Sequence, residues 1–108
     1  MKYITFAVPC YNSESYMEHA VETALCGGEE IEILLVNDGS TDKTAEIADR
    51  LAAEHPTIIK AIHKENGGHG SAVNAGLANA SGIYYKVLDS DDWFDEQALI
   101  KVMDILKG

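Results

Sequence analysis

Four short apolar runs, each followed by a segment of helical spacing, constrain this chain more than any other feature. Ile4–Val8, Ile31–Val36, Ile58–Ile62 and Ile83–Leu88 are rich in β-branched and aromatic residues. They do not alternate apolar with polar residues, as strands buried on one side do; continuous runs of this kind suit strands covered on both faces. The segments between them carry i, i+3, i+4 stripes. Tyr16–Leu25 places Met17, Ala20, Val21, Ala24 and Leu25 on one side, with Ser13 or Ser15 as cap and Cys26-Gly27-Gly28 as stop. Ser40 or Thr41 opens a second helix whose apolar side is Ala45, Ile47, Ala48, Leu51 and Ala52, ended by His55-Pro56. A third spans Ser71–Asn79, and a fourth, Asp95–Leu106, is expected to bury Leu99, Val102, Met103 and Leu106. The order β-α-β-α-β-α-β-α with short connections predicts an open parallel sheet with helices on both faces. At 108 residues the chain is one domain, 1–108.

In such sheets ligands bind beyond the carboxyl ends of the strands, where strand order reverses. The residues with chemistry to offer fall there. Pro9-Cys10-Tyr11-Asn12 follows the first strand, Asp38 the second, and Asp89-Ser90-Asp91 the fourth. Three carboxylates within Asp89–Asp92 repel one another unless a cation sits among them. Hard ions such as Mg²⁺ or Mn²⁺ take such oxygen ligands and share them with substrate phosphates. The competing reading is an acidic first turn for the last helix, which suits Asp92 and Asp95 but not Asp89 and Asp91.

Other residues carry two readings each. Asp38-Gly39-Ser40 is a turn and cap, or Asp38 meets a base or ribose edge. Tyr11 stacks on a planar ring, or covers the sheet edge. Asn66–Gly70 lacks G-K-[ST] and does not match G-x-G-x-x-G. Its glycines bring backbone N–H groups to phosphate, or allow close packing. Lys64 and His69 are the basic residues flanking it. Ala72, Ala75, Gly76, Ala78 and Ala80 read as a small-residue face against the sheet, and Glu29-Glu30-Glu32 as a solvated loop.

A net charge of −10 argues against nucleic acid or an anionic membrane as partner, so an anionic ligand needs a metal as mediator. No run of eighteen apolar residues spans a bilayer. Met1–Phe6 enters a strand pattern without the features of a secretory leader, and Cys10 and Cys26 show no zinc spacing. Reduced thiols and a cytoplasmic location are expected, the latter extending to the cytoplasmic face of a membrane in a longer parent.

Taken together, Pro9-Cys10-Tyr11-Asn12-Ser13-Glu14, Val36-Asn37-Asp38-Gly39-Ser40-Thr41-Asp42, Glu65-Asn66-Gly67-Gly68 through Asn74-Ala75-Gly76, and Leu88-Asp89-Ser90-Asp91-Asp92 closely resemble the family 2 glycosyltransferases of GT-A fold. The motifs share that family's order and spacing over nearly the whole chain. The resemblance implies a Rossmann-like sheet of order 3-2-1-4 with its crevice between strands one and four. It implies that Pro9, Tyr11, Asn12 and Glu14 line a nucleotide pocket and that Asp38 contacts the nucleoside. It also implies a DxD motif of Asp89 and Asp91 that touches ribose and a divalent ion. Gly67, Gly68 and Ser90 complete the expected nucleotide-sugar site. The implied function is metal-dependent, inverting transfer from a nucleoside-diphosphate sugar, expected to be a UDP-sugar, to an acceptor hydroxyl.

Two departures stand out. Ala72-Val73-Asn74 replaces the Ala-Arg-Asn common in the family, leaving Lys64 or His69 to supply a basic contact at the diphosphate. The acceptor-binding half and the general base find no counterpart, so the chain is expected to be a donor-binding half without transferase activity of its own. Its open fourth strand is expected to lead to a twofold homodimer that buries this edge or its flanking helix. The rival function is a non-enzymatic nucleotide- or metal-binding module. A dehydrogenase-like Rossmann half would want G-x-G-x-x-G after the first strand, and a phosphoryl-acceptor receiver its acidic cluster there; neither is present.

Overall fold

The computed structural model describes residues 2–88 and 96–107. β1 (Ile4–Cys10), α1 (Met17–Ala24), β2 (Ile31–Asp38), α2 (Thr44–Glu54), β3 (Ile59–Lys64), α3 (His69–Asn79), β4 (Tyr84–Val87) and α4 (Glu96–Lys107) follow in order, with a 3₁₀ segment at Leu25–Glu30. The four strands form one parallel sheet of order β3-β2-β1-β4, as expected. β1 and β2 are buried along their entire length. On one face α1, α2 and α4 cover Phe6, Val8, Ile33 and Leu35 with Met17, Val21, Leu51, Leu99 and Met103. On the other, α3 lies against Leu34 and Val36 through Ala72.

Several boundaries differ from the sequence reading, each for a physical reason. β2 runs on to Asp38 and β3 to Lys64, because the parallel ladder continues through Asn37↔His63 and Asp38↔Lys64. α1 ends at Ala24 and the chain tightens into a 3₁₀ turn rather than stopping at once on the glycines. The fourth run, expected to be buried, holds Ile83 and Tyr84 more than half exposed; among the described residues β4 pairs only with β1. On α4, Leu99 and Met103 are buried as expected, but Val102 is exposed. Neither Ser13 nor Ser15 caps α1 with its side chain, nor Ser40 or Thr41 α2.

Pro9 lies inside a central strand, where a missing N–H normally breaks a ladder. Here it does not. Leu88 N–H donates to Ala7 O, so by the period of two Pro9 also points its backbone toward β4, beyond the last β1–β4 pair at Ala7↔Val87. The absent donor therefore lies beyond the last β1–β4 pair among the described residues.

The small-residue face of α3 is as tight as expected. A Cβ on Gly76 would sit 2.8 Å from Ala7 Cβ and 2.9 Å from the Tyr85 hydroxyl. That hydroxyl donates to Val73 O at 2.8 Å. Ala78, assigned to the same face, is exposed.

The largest correction is Glu32. Read as part of a solvated acidic patch, it is 2% exposed, because it is paired across the ladder with Thr5 under α3. Thr5 Oγ1 and Ser81 N–H donate to Oε1, each at 2.9 Å, and Ser81 Oγ to Oε2 at 2.8 Å. Lys60 Nζ lies 3.2 Å from Oε2, and Gly82 N–H donates to Thr5 Oγ1 at 2.8 Å. Burial alone would raise this carboxyl, but the bonds from Ser81, Thr5 and Lys60 together hold it below the usual carboxylate range. Glu32→Ala is expected to lower stability by about 1–3 kcal/mol for each buried donor it strands. The exposed Glu46→Ala should change it by less than about 0.5 kcal/mol. Equal melting shifts for the two variants would show that the Glu32 cluster does not hold the α3–β4 turn.

Candidate functional site

The carboxyl ends of the strands gather three loops, and two are laced together by side chains reaching the backbone of the other. Asn12, half a turn past β1, has φ +49, a left-handed conformation that Asn tolerates better than most residues. Its N–H donates to Ser40 Oγ at 3.0 Å, and its Oδ1 accepts from Thr41 N–H at 2.9 Å. Ser13 N–H donates to Thr44 Oγ1 at 2.7 Å. Asp42 accepts from Glu14 N–H at 3.3 Å and Thr44 N–H at 2.9 Å. Burial pushes the Asp42 carboxyl up, but the Thr44 and Glu14 bonds outweigh it and leave the carboxyl low. Of the expected nucleotide-binding residues, Asn12 and Glu14 therefore stand on this seam, with Pro9 buried beneath it. Tyr11 is 52% exposed. Cys10, also buried, has its thiol pushed up to about 12, first by burial and then by Asp42; it stays protonated and inert.

Asp38 is the most constrained member of the site. Its side chain is 5% exposed. Oδ1 accepts from Lys64 Nζ at 2.8 Å and Gly67 N–H at 2.9 Å, and Oδ2 from Gly68 N–H at 3.0 Å. Asn66 Nδ2 donates to Asp38 O at 3.1 Å. Gly39 makes this closure feasible: with φ +67, any Cβ there would lie 2.6 Å from Asn66 N. The Lys64 bond, and the two glycine N–H groups after it, hold the Asp38 carboxyl below its ordinary range against the opposing effect of burial. Gly67 and Gly68, expected near phosphate, thus turn their amides to Asp38 here.

Behind this loop runs a chain of contacts that sequence reasoning missed. Ser40 N–H donates to Asn37 Oδ1 at 3.1 Å, so Asn37 turns Nδ2 toward His63 Nδ1, 3.1 Å away. His63 Nδ1 is then an acceptor, and Nε2 carries the proton toward Asp49 Oδ1 at 2.8 Å. The signal was present as alignment: Asn37 opposes His63 and Asp38 opposes Lys64 once β2 and β3 are set in register.

Asp89, Ser90 and Asp91 lie outside the described residues. Leu88, immediately before them, is buried, and its N–H donates to Ala7 O at 2.9 Å. Among the described residues no group of three or more His, Cys, Asp or Glu side chains could hold a metal, and no helix is long and apolar enough to cross a membrane.

The model of the family described as glycosyl transferase family 2 matches residues 5–108. The minor teichoic acid biosynthesis protein GgaA of Bacillus subtilis is 38% identical over 103 residues, covering 90% of this chain and 23% of that protein. Glycosyltransferase GlyA of Streptococcus pneumoniae is 40% identical over 94 residues, covering 86% of this chain and 13% of that protein. The structure of S. aureus TarS 1–349 in complex with UDP-GlcNAc superposes with a TM-score of 0.81 at 29% identity, over 99% of this chain and 31% of that one. The chain thus spans less than a third of each of these proteins.

Asp38 makes a pH prediction. A carboxyl held low when folded adds stability above its unfolded value, about 3.9, and loses it as pH falls through the folded value. Asp38→Asn is therefore expected to melt below the parent at pH 7, with the gap closing as pH drops below about 4. A gap that stays constant across that range would mean that the charge of Asp38 contributes nothing.

Proposed function

The chain belongs to glycosyl transferase family 2, and we propose that it is the donor-binding part of a transferase that uses a nucleoside-diphosphate sugar, by preference a UDP-sugar. The observation that carries this reading is the convergence of Tyr11, Asn12, Asp38 and Leu88 on the carboxyl end of the sheet; Asp89–Asp91 come next in sequence. The UDP-GlcNAc held by S. aureus TarS supports uridine over other bases. In this reading Tyr11 offers a stacking face and Asp38 an acceptor to the base. The seam at Asn12, Ser40 and Thr41 keeps the first two loops at fixed separation while ligand enters.

The residues at 89–91 suit a divalent cation by the chemistry of their donors: hard carboxylate oxygens in a chain of net charge −10 that must approach a diphosphate. Asp89 and Asp91 would hold Mn²⁺ or Mg²⁺, which when bound stabilises negative charge on the departing diphosphate. Sugar transfer is proposed for the whole protein. The acceptor oxygen would bond to the anomeric carbon as its bond to the diphosphate breaks, with inversion, and the hydroxyl proton would pass to a general base that no residue of this chain is assigned to supply. On the same proposal the 108-residue chain binds donor without transferring sugar, and its β4 edge is where a second copy would pair.

Calorimetry of the chain with UDP is expected to show binding in Mn²⁺ and far weaker binding in EDTA. Asp91→Asn should remove the difference between the two buffers while leaving the melting temperature unchanged or slightly higher, since one repelling carboxylate is gone. Equal UDP affinity with and without metal would refute the metal role, and no binding of UDP in either buffer would refute the nucleotide reading.

A further inference from the structure

Lys64 has no role in the reading above, yet it is the most enclosed cation of the site. Its side chain is 20% exposed. Two of its three ammonium hydrogens are committed, to Asp38 Oδ1 at 2.8 Å and to Glu65 O at 2.6 Å. The loop closes directly over it: a Cβ on Gly67 would come within 3.1 Å of Nζ. A lysine reaching for a diphosphate would keep its head free and solvated. This one is folded inward, onto the carboxylate to which Gly67 and Gly68 also donate.

We propose that Lys64 is a positioning residue for the nucleoside half of the pocket, and that it does not meet the diphosphate. By holding Asp38 Oδ1 it fixes the rotamer of the carboxylate and pins the 65–68 loop to the end of β2. A carboxylate has about four acceptor positions. Lys64 and Gly67 occupy both on Oδ1, and Gly68 takes one on Oδ2. Among the described residues one position on Oδ2 is left, with its direction set by the other three bonds. A planar base offering a ring N–H fits a single fixed acceptor; a phosphate, itself only an acceptor, does not. This inference rests on the nucleotide reading, and it makes base recognition depend on a residue that touches no part of the ligand.

The test separates the two halves of the ligand. Binding of uridine, and separately of inorganic pyrophosphate with Mn²⁺, is followed by NMR for the parent chain, Lys64→Met and Lys64→Arg, with hydrogen exchange at the Gly67 and Gly68 amides. Lys64→Met is expected to weaken uridine about tenfold, the scale of one charge-assisted hydrogen bond, and to leave pyrophosphate within about twofold. It should also speed exchange at both glycine amides. Lys64→Arg, which can still donate to Oδ1, should restore both uridine binding and amide protection. Loss of pyrophosphate binding with uridine intact would overturn the proposal and make Lys64 a diphosphate contact. Unchanged uridine binding in a folded Lys64→Met would also overturn it. If the parent binds neither molecule, the nucleotide reading falls and takes the nucleoside half of the proposal with it. The clamp half is then decided by amide exchange: faster in Lys64→Met, it stands; unchanged, it falls.

Discussion

Everything in this molecule hangs on the β1–β2 ladder. Seven parallel pairs from Ile4↔Ile31 to Cys10↔Asn37 lie in strands with no exposed residue. A parallel pair cannot be closed by a tight turn, so a helix must cross between its strands. A sheet buried on both faces also requires a helical layer on each. Once that register exists, the tips of both strands end level, and the loops that follow are close enough to be laced by Asn12, Ser13 and Asp42. The site follows from the ladder's geometry, and its positive-φ backbone is confined, among the described residues, to Asn12, Gly39 and Gly68.

The sheet carries a buried acid at each end, and the two are handled alike. Glu32 at the amino end and Asp38 at the carboxyl end are both nearly inaccessible. Both accept backbone N–H groups from the chain that enters or leaves α3, and both face a lysine of β3, Lys60 or Lys64. A buried carboxylate is tolerable only when its lone pairs are met, and among the described residues no buried side-chain N or O lacks a partner. The two acids therefore fasten α3 to the sheet at both of its ends. One anchor lies far from the ligand end; the other is part of it.

The fold was legible because the apolar runs are continuous and the breaks between them are strongly marked by Gly39-Ser40, His55-Pro56 and Ser81-Gly82. The motif residues were legible as chemistry that recurs at strand ends. What could not be read was anything that depends on register. Glu32 looks like one more acid in Glu29-Glu30-Glu32 until Thr5 is set opposite it. Asn37 and His63 are a turn residue and a lone histidine until β3 is aligned with β2. Exposure was illegible for a related reason: Ile83 and Tyr84 at the β4 edge and Val102 on α4 are as apolar as their buried neighbours, and only the absence of a layer among the described residues leaves them in water. Composition records what a residue prefers, whereas pairing decides what it gets.

The close seating of α3 has a kinetic side. Ala72 and Gly76 let the helix lie almost on the sheet, but they bury little carbon there, so the hydrophobic gain that resists its departure is small compared with that under α1 and α2. Elements of that sort open as units well below the free energy of global unfolding. Gly67 and Gly68 stand directly before the first turn of α3, so each such opening pulls their amides from Asp38. Opening of the second face of the sheet would thus open the pocket with it, and a ligand that engages the closed arrangement would slow the excursion of α3.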